Sequence, residues 1–273
     1  MKKHSVLKAA ALTAAAYTVS LRGRTKHPDL EILRRYRFAH RGYHDKPVVP
    51  ENSLPAFRRA IEHGWGAELD VHLMKDGTLA VIHDSSLLRT AGADVQIEDL
   101  TREELENYRL EGTDERIPLF DEVLALFENT TPLIIELKAA NGNHFALSKA
   151  VCERLDSYKG VFCIESFDPM VVADVRELRP GICRGQLAEN FLKGKGALDP
   201  VRSVLATGLI GNALAKPDFI AFKFEDRSCI SNALCLKLWG IQGVAWTIRS
   251  KHDLLTAEAE GLIPIFEKFD PEV

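Results

Sequence analysis

The chain has 273 residues, enough for one large core; a closed eight-stranded α/β barrel typically takes about 250. Hydrophobic residues make up 46% and charged residues 27%, which excludes wholesale disorder. The net charge of −4 lacks the basic excess of a surface that tracks phosphates, so no nucleic-acid partner is expected.

At the N-terminus, Lys2, Lys3 and Lys8 precede an Ala-rich apolar stretch from Ala9 to Leu21, and Arg22, Gly23, Arg24 and Lys26 follow it. An ordinary membrane span takes about 20 apolar residues, and this run falls short even when extended back to Ser5. Lys8 lies inside the extended run, where it could snorkel. Cationic flanks on both sides suit a marginal membrane anchor or an interfacial helix through residues 5–21. The polybasic end favours a cytoplasmic orientation. A helix docked on a soluble cytoplasmic protein is the alternative; a cleaved secretion signal fits less well, because its small-residue site would sit inside the run. Residues 1–36 are therefore set apart as an apolar segment and linker.

From residue 37 onward, short β-type runs alternate with amphipathic stretches, the pattern of βα units around a parallel sheet. Strands are expected at Arg37–His40, Ala67–Val71, Leu133–Leu137, Val161–Ser166, Ile182–Leu187, Phe219–Phe222, Gly243–Thr247 and Ile263–Phe266. Helices should begin near Ser53, Leu119, Phe145, Pro169, Asn190, Ser228 and Lys251. Eight parallel strands with intervening helices imply a (β/α)8 TIM barrel over residues 37–273, with its site at the C-terminal strand ends. One interval, residues 73–116, breaks the rhythm and reads as a small insertion after strand 2. Lys75-Asp76-Gly77-Thr78 is a hairpin turn there, and Thr101-x-x-Glu104 opens a helix expected to reach Leu110. The five cysteines (Cys152, Cys163, Cys183, Cys229, Cys235) form no Cys-x-x-Cys pair and read as buried thiols.

The chemistry concentrates between residues 38 and 84. Glu68 and Asp70 are two apart on a strand, so both point to one face. Two desolvated carboxylates side by side repel unless a cation or basic group lies between them. Glu136, inside the apolar run Ile134–Leu137, is placed beside them by the next strand. Three carboxylates suit Mg2+ or Ca2+ better than zinc; a salt-bridge network through Lys138 or Arg41 is the alternative. His40 ends the first strand, and Gly42 permits a sharp departure of the backbone there. Arg41 offers a fork for two phosphate oxygens. His83 closes the hairpin run, so two histidines could share acid and base work. Glu51 precedes the helix cap at Asn52 or Ser53 and is available to orient His40 or join the metal shell. Trp246 either packs the rim or flanks a substrate. His72 shares the face of Asp70 and is available to substrate, and His44 lies in the loop after Gly42. His4, His27, His63, His144 and His252 read as surface residues.

These elements together resemble the glycerophosphodiester phosphodiesterase family. The resemblance rests on Ala39-His40-Arg41-Gly42, Pro50-Glu51-Asn52-Ser53, Glu68-Leu69-Asp70-Val71, Lys75-Asp76-Gly77, Val81-Ile82-His83-Asp84 and Glu136-Leu137-Lys138. Ser166-Phe167-Asp168-Pro169 and Trp246-Thr247 also match. It implies a barrel that cleaves a glycerophosphodiester to glycerol 3-phosphate and an alcohol. By the same resemblance, Glu68, Asp70 and Glu136 are metal ligands with Glu51 beside them. His40 and His83 are the catalytic pair, and Arg41 and Lys138 contact phosphate. The last segment, Gly261 to Glu267, departs from the family's Gly-rich close with its Asp-x-Pro-like turn. The long stretch Phe191–Leu214 reads as a lid or a membrane-facing surface. Two rival readings are a membrane-associated lysophospholipase D acting on a lysolipid and a non-catalytic phosphate-binding barrel.

Overall fold

The computed structural model describes residues 2–193 and 199–273, with the side chains of residues 2–6 outside the description. The surface position expected for His4, and residues 194–198 of the Phe191–Leu214 stretch, lie outside the described residues. The strands are β1 Phe38–Ala39, β2 Gly66–Leu73, β3 Leu79–Val81, β4 Leu133–Leu137, β5 Phe162–Ser166, β6 Arg184–Ala188, β7 Phe219–Lys223, β8 Gln242–Ile248 and β9 Ile263–Phe266. The helices are α1 Lys2–Ser20, α2 Pro28–Leu33, α3 Leu54–Glu62, α4 Leu88–Ala91, α5 Arg102–Leu105, α6 Phe120–Phe127, α7 His144–Leu155, α8 Pro169–Leu178, α9 Pro200–Thr207, α10 Asn212–Ala215, α11 Ile230–Ala233 and α12 Lys251–Ala259.

β1 pairs in parallel with both β2 and β9, and β4 to β9 follow β2 in chain order, so eight parallel strands close on themselves. β3 is antiparallel to the far end of β2, with Val71 opposite Val81, and starts the insertion. The insertion has its own small core of Met74, Ile82, Leu87, Ile97, Leu105 and Ile117.

The two-residue period of each strand separates two apolar layers. Leu69, Val71, Ile135, Ile164, Phe222 and Ala245 face outward into the layer shared with Phe57, Phe120, Phe127, Val171 and Leu254 of the helices. Phe38, Ile134, Cys163, Phe219, Val244 and Ile263 face inward and plug the lower barrel. Leu30 and Leu33 of α2 join that plug, so part of the N-terminal linker closes the barrel floor. Helix starts follow side-chain caps: Ser53 accepts from Ala56 N–H, Asp168 from Met170 N–H and Ser250 from Asp253 N–H.

Several expectations shift. The helix placed near Asn190 begins at Pro200, capped by Asp199, because Asn190 N–H is taken by Asp226 (2.7 Å) and the chain turns first. The capping box at Thr101 and Glu104 is present, but α5 lasts a single turn and Leu110 drops into the insertion core. His27 is a cap, its Nδ1 accepting from Asp29 N–H and its Nε2 2.9 Å from Gly181 O. His144 pairs with Asp174 at 2.6 Å. All five cysteines are free thiols, and only Cys229 is not fully buried. Among the described residues, no helix is long and apolar enough to cross a membrane.

Candidate active site

Parallel register carries the acids into one layer. Asp70 of β2 is opposite Glu136 of β4, and Glu136 is opposite Glu165 of β5, all above the apolar plug. Carboxylate oxygens of Glu68, Asp70 and Glu136 lie within 4.8 Å of one another, and all three residues are buried. Burial and the charges of Asp70 and Glu136 push the Glu68 carboxyl well above the usual range. Burial likewise raises Glu136, although Lys138 opposes it. Asp70 behaves oppositely: burial works against its ionisation, but Lys138, His83, Arg41 and a 2.8 Å hydrogen bond from Asn52 Nδ2 outweigh it.

Lys138 Nζ lies 2.8 Å from Glu136 and 3.0 Å from Asp70, and Arg41 Nε is 3.6 Å from Asp70. The salt-bridge network weighed from the sequence is thus real, yet among the described residues no Lys or Arg side chain is within ion-pair distance of Glu68, and the charge of Arg41 only partly offsets it. Three converging hard oxygen donors, one without an ion-paired Lys or Arg, fit a divalent cation such as Mg2+ or Ca2+.

At the end of β1 the backbone turns out of the barrel. Arg41 adopts a left-handed φ of 56°, and a side chain at Gly42 would meet Ala56 backbone at 2.9 Å. The strained turn costs on the order of 1 kcal/mol and aims the Arg41 N–H at Glu68 Oε2, 3.0 Å away. His40 Nδ1 is 2.7 Å from Glu267 Oε2, so the carboxylate holds the proton on Nδ1 and leaves Nε2 facing the acids, 3.9 Å from Glu68. Burial moves the His40 imidazole down to about 4, against the pull of Glu267. Arg249 donates to Glu267 at 2.8 Å, and His44 Nε2 approaches it at 3.9 Å.

The insertion supplies the other histidine. His83 Nδ1 lies 2.5 Å from Asp84, a second carboxylate–imidazole pair, again with Nε2 left over. Burial lowers the His83 imidazole, with Lys138 and Arg41 adding to the effect and Asp70 opposing it. His72 is engaged on both ring nitrogens, by Glu98 at 2.7 Å and His83 O at 3.2 Å. It therefore ties the hairpin to the insertion, although its ring lines the same cleft. That cleft, about 240 Å³, runs between His72, His83 and Ser85 on one side and Glu136, Lys138 and Phe167 on the other.

Glu51 lies outside the converging trio. Its carboxylate binds Arg41 Nη1 (2.9 Å), Arg89 Nη2 of the insertion (2.6 Å) and Lys46, which itself reaches Glu111. Burial opposes its ionisation, but the hydrogen bond from Arg89 and the charge of Arg41 hold it well below the ordinary range. Trp246 ends the inner row of β8, edge-to-face with Phe167 at 5.7 Å, and Phe167 meets Phe191 at 6.1 Å. Its indole N–H is buried without a partner. Sequence reasoning passed over Glu165, buried beside Glu136; Glu267, the His40 partner; Arg89, which fastens the insertion; and Lys223, opposite Trp246 in the strand register. The signal for Glu165 and Lys223 was present: each is a charge in phase with the inner face of an apolar run.

The family model described as the glycerophosphoryl diester phosphodiesterase family matches residues 40–266. A glycerophosphodiester phosphodiesterase of Caldanaerobacter subterraneus is 37% identical over 161 residues, covering 55% of this chain and 65% of that protein. A human lysophospholipase D is 38% identical over 121 residues, covering 40% of this chain and 37% of its own length. The matched part of the chain thus spans less than two thirds of either relative. An Oleispira antarctica phosphodiesterase, solved in complex with the product sn-glycerol-3-phosphate, superposes with a TM-score of 0.67 at 23% identity, over 85% of this chain and 92% of that one. With the family model covering well over half of the chain and every barrel strand after β1, the chain belongs to the glycerophosphoryl diester phosphodiesterase family.

Proposed function

We propose that the chain hydrolyses glycerophosphodiesters to glycerol 3-phosphate and an alcohol. The observation that carries this reading is the convergence of Glu68, Asp70 and Glu136 beneath two histidines whose Nδ1 atoms are each engaged by a carboxylate. Glu68, Asp70 and Glu136 would hold Mg2+ or Ca2+, which when bound supplies charge stabilisation to the phosphoryl oxygens. Arg41 and Lys138 flank the trio and contribute fixed positive charge for the same oxygens. Trp246 supplies an apolar wall at the rim for the glycerol or the alcohol.

His40, neutral at pH 7 and with Nε2 free, takes the proton of the attacking hydroxyl. His83, in the more exposed position on the insertion, takes up a solvent proton at Nε2 while Asp84 holds its Nδ1 proton, and gives the Nε2 proton to the departing alkoxide as the P–O bond breaks. The attacking hydroxyl is that of water or of the glycerol C2 position, and phosphorus NMR during turnover separates the two by the presence of a cyclic phosphate. Glycerophosphocholine turnover should be lost in His40→Ala and His83→Ala and on EDTA treatment, and restored by Mg2+ or Ca2+. Unchanged turnover in both variants, or indifference to EDTA, refutes the mechanism. Cleavage of a lysolipid with no turnover of glycerophosphocholine moves the substrate to the lysophospholipase D class.

A further inference from the structure

Helix α1 is fastened to the barrel at one end only. Tyr17 Oη donates to Gly208 O at 3.1 Å, Trp239 Nε1 donates to Thr18 O at 2.7 Å, and Leu21 is fully buried. Beyond that girdle, Arg22 lies over the Trp239 ring at 5.7 Å, and Arg24 forms two 2.6 Å bonds to buried Asp218. The other end has no such support: every residue from 7 to 16 is exposed. Eight of those ten are Leu or Ala, the others being Lys8 and Thr13.

An amphipathic helix that docks on protein shows one apolar face, whereas the Leu and Ala residues of α1 are spread around it with no face set apart. Such a helix calls for a medium that surrounds it, and a one-sided groove does not. Standing alone in water, a stretch as short as residues 7–16 is marginal as a helix even when rich in Ala.

Charge identifies the medium. The first 28 residues hold six Lys and Arg (Lys2, Lys3, Lys8, Arg22, Arg24, Lys26) and no acid, in a chain whose net charge is −4. Where α1 meets the body, α9 and α10 add exposed Val201, Val204, Leu205 and Leu214. The fastened end is ringed by Tyr17, Trp239 and Arg22, residue types that settle at the headgroup level of a bilayer. Residues 7–19 are about 20 Å long at 1.5 Å per residue, less than the roughly 30 Å hydrocarbon core. With Lys8, and Lys2 and Lys3 beyond it, at its free end, the helix is too charged there to enter the hydrocarbon core and lies along one face of a bilayer.

We propose that α1 is a monotopic anchor for anionic phospholipid bilayers, lying along the membrane surface with Leu7, Leu12 and the alanines of residues 7–16 at the acyl boundary and with Lys8, Tyr17, Trp239 and Arg22 at the headgroup level. This holds whatever reaction the barrel performs. The test is co-sedimentation of the full chain with vesicles of phosphatidylcholine and phosphatidylglycerol (3:1), against vesicles of phosphatidylcholine alone. The wild type should sediment with the anionic vesicles, less with the neutral ones, and lose the preference as salt rises. Leu12→Glu and Ala15→Glu should each weaken uptake by about tenfold, since each sets an acid against the acyl boundary and the anionic headgroups, while the unfolding midpoint and the near-UV circular dichroism stay as in the wild type. Absence of uptake by either vesicle overturns the proposal, as does uptake unaffected by Leu12→Glu. A concentration-dependent dimer that Leu12→Glu dissociates, without vesicle binding, assigns α1 to a second copy of the chain and overturns it equally.

Discussion

Replacing Glu267 by Gln tests whether His40 works as a base. The carboxylate accepts from His40 Nδ1 at 2.7 Å and from Arg249 Nε at 2.8 Å. In Glu267→Gln the amide oxygen can keep Arg249, which turns the NH2 group toward His40. The imidazole must then accept at Nδ1 and carry its proton on Nε2, the nitrogen that should be free for the nucleophile. A hydrogen bond to a charged partner contributes about 1.5 to 3 kcal/mol, and each 1.36 kcal/mol is tenfold in rate. The expected fall in kcat is therefore about 10- to 150-fold, with KM changed less than about threefold, because Glu267 touches no phosphate contact. The pH profile adds a signature. The Glu267 charge raises the His40 pKa, and burial sets it at about 4 overall; removing the charge lowers it further. The acid limb of kcat/KM should move to lower pH while the plateau falls, and Glu267→Asp, which restores the charge, should recover part of the loss. A Glu267→Gln enzyme that keeps more than half of kcat, or whose acid limb moves up, refutes the dyad.

Three other outcomes follow from the charge layout. Burial raises Glu68 and moves Glu136 up to about 7, so the cation-free site holds protons near neutrality. Cation affinity should then tighten from pH 6 to 8, and calorimetry at pH 7 in buffers of different ionisation enthalpy should register proton release; a buffer-independent enthalpy contradicts this. Glu51→Gln should cost about tenfold in kcat/KM, from about 1.4 kcal/mol of lost Arg41 and Arg89 positioning, yet leave cation affinity within about threefold of wild type, unlike Asp70→Asn. Loss of cation binding in Glu51→Gln would place Glu51 in the metal shell. Arg24→Ala leaves buried Asp218 with the Arg184 N–H but without its ion-pair partner, and the urea midpoint should report a loss of about 3 kcal/mol, largely recovered in the Asp218→Asn double variant.

Much of the barrel was legible because its strands are buried on the helix side and so read as apolar runs; all eight strand predictions fall within a residue or two of β1, β2, β4, β5, β6, β7, β8 and β9 at both ends. The acids at 68, 70 and 136 stood out as charges inside such runs. The same rule applied to Glu165 and Lys223, but neither belongs to a pair two residues apart, the cue that singled out Glu68 and Asp70. Glu267 follows a strand by one residue, and only closure of β9 on β1 brings it to His40. The ion pairs of Glu51 were hidden for a similar reason: Arg89, its partner across 38 positions, comes from the insertion, whose docking no local pattern encodes. The histidines show the limit most clearly, since His27, His72 and His144 are each fixed by a group that the fold supplies.

The barrel interior changes character within one two-residue step. Ile134, Cys163 and Val244 form a dry plug, and the next inward positions are Glu136, Glu165 and Trp246. An ionic layer resting directly on an apolar one has little water to screen it, so like charges there repel strongly. Lys138 and Arg41 ion-pair with Asp70, and although the charge of Arg41 opposes the rise of Glu68 and that of Lys138 the rise of Glu165, burial and the neighbouring acids drive both carboxyls upward. Evolution toward stability alone would replace at least one of these acids by an apolar residue of similar volume, a change that is commonly neutral or stabilising when a charge lacks its partner. Glu68→Gln and Glu68→Met should therefore raise the unfolding midpoint of the cation-free protein while removing its response to added Mg2+ or Ca2+. A destabilised Glu68→Gln would mean that the trio is held for structure, and the case for a cation beneath His40 and His83 would lose its physical basis.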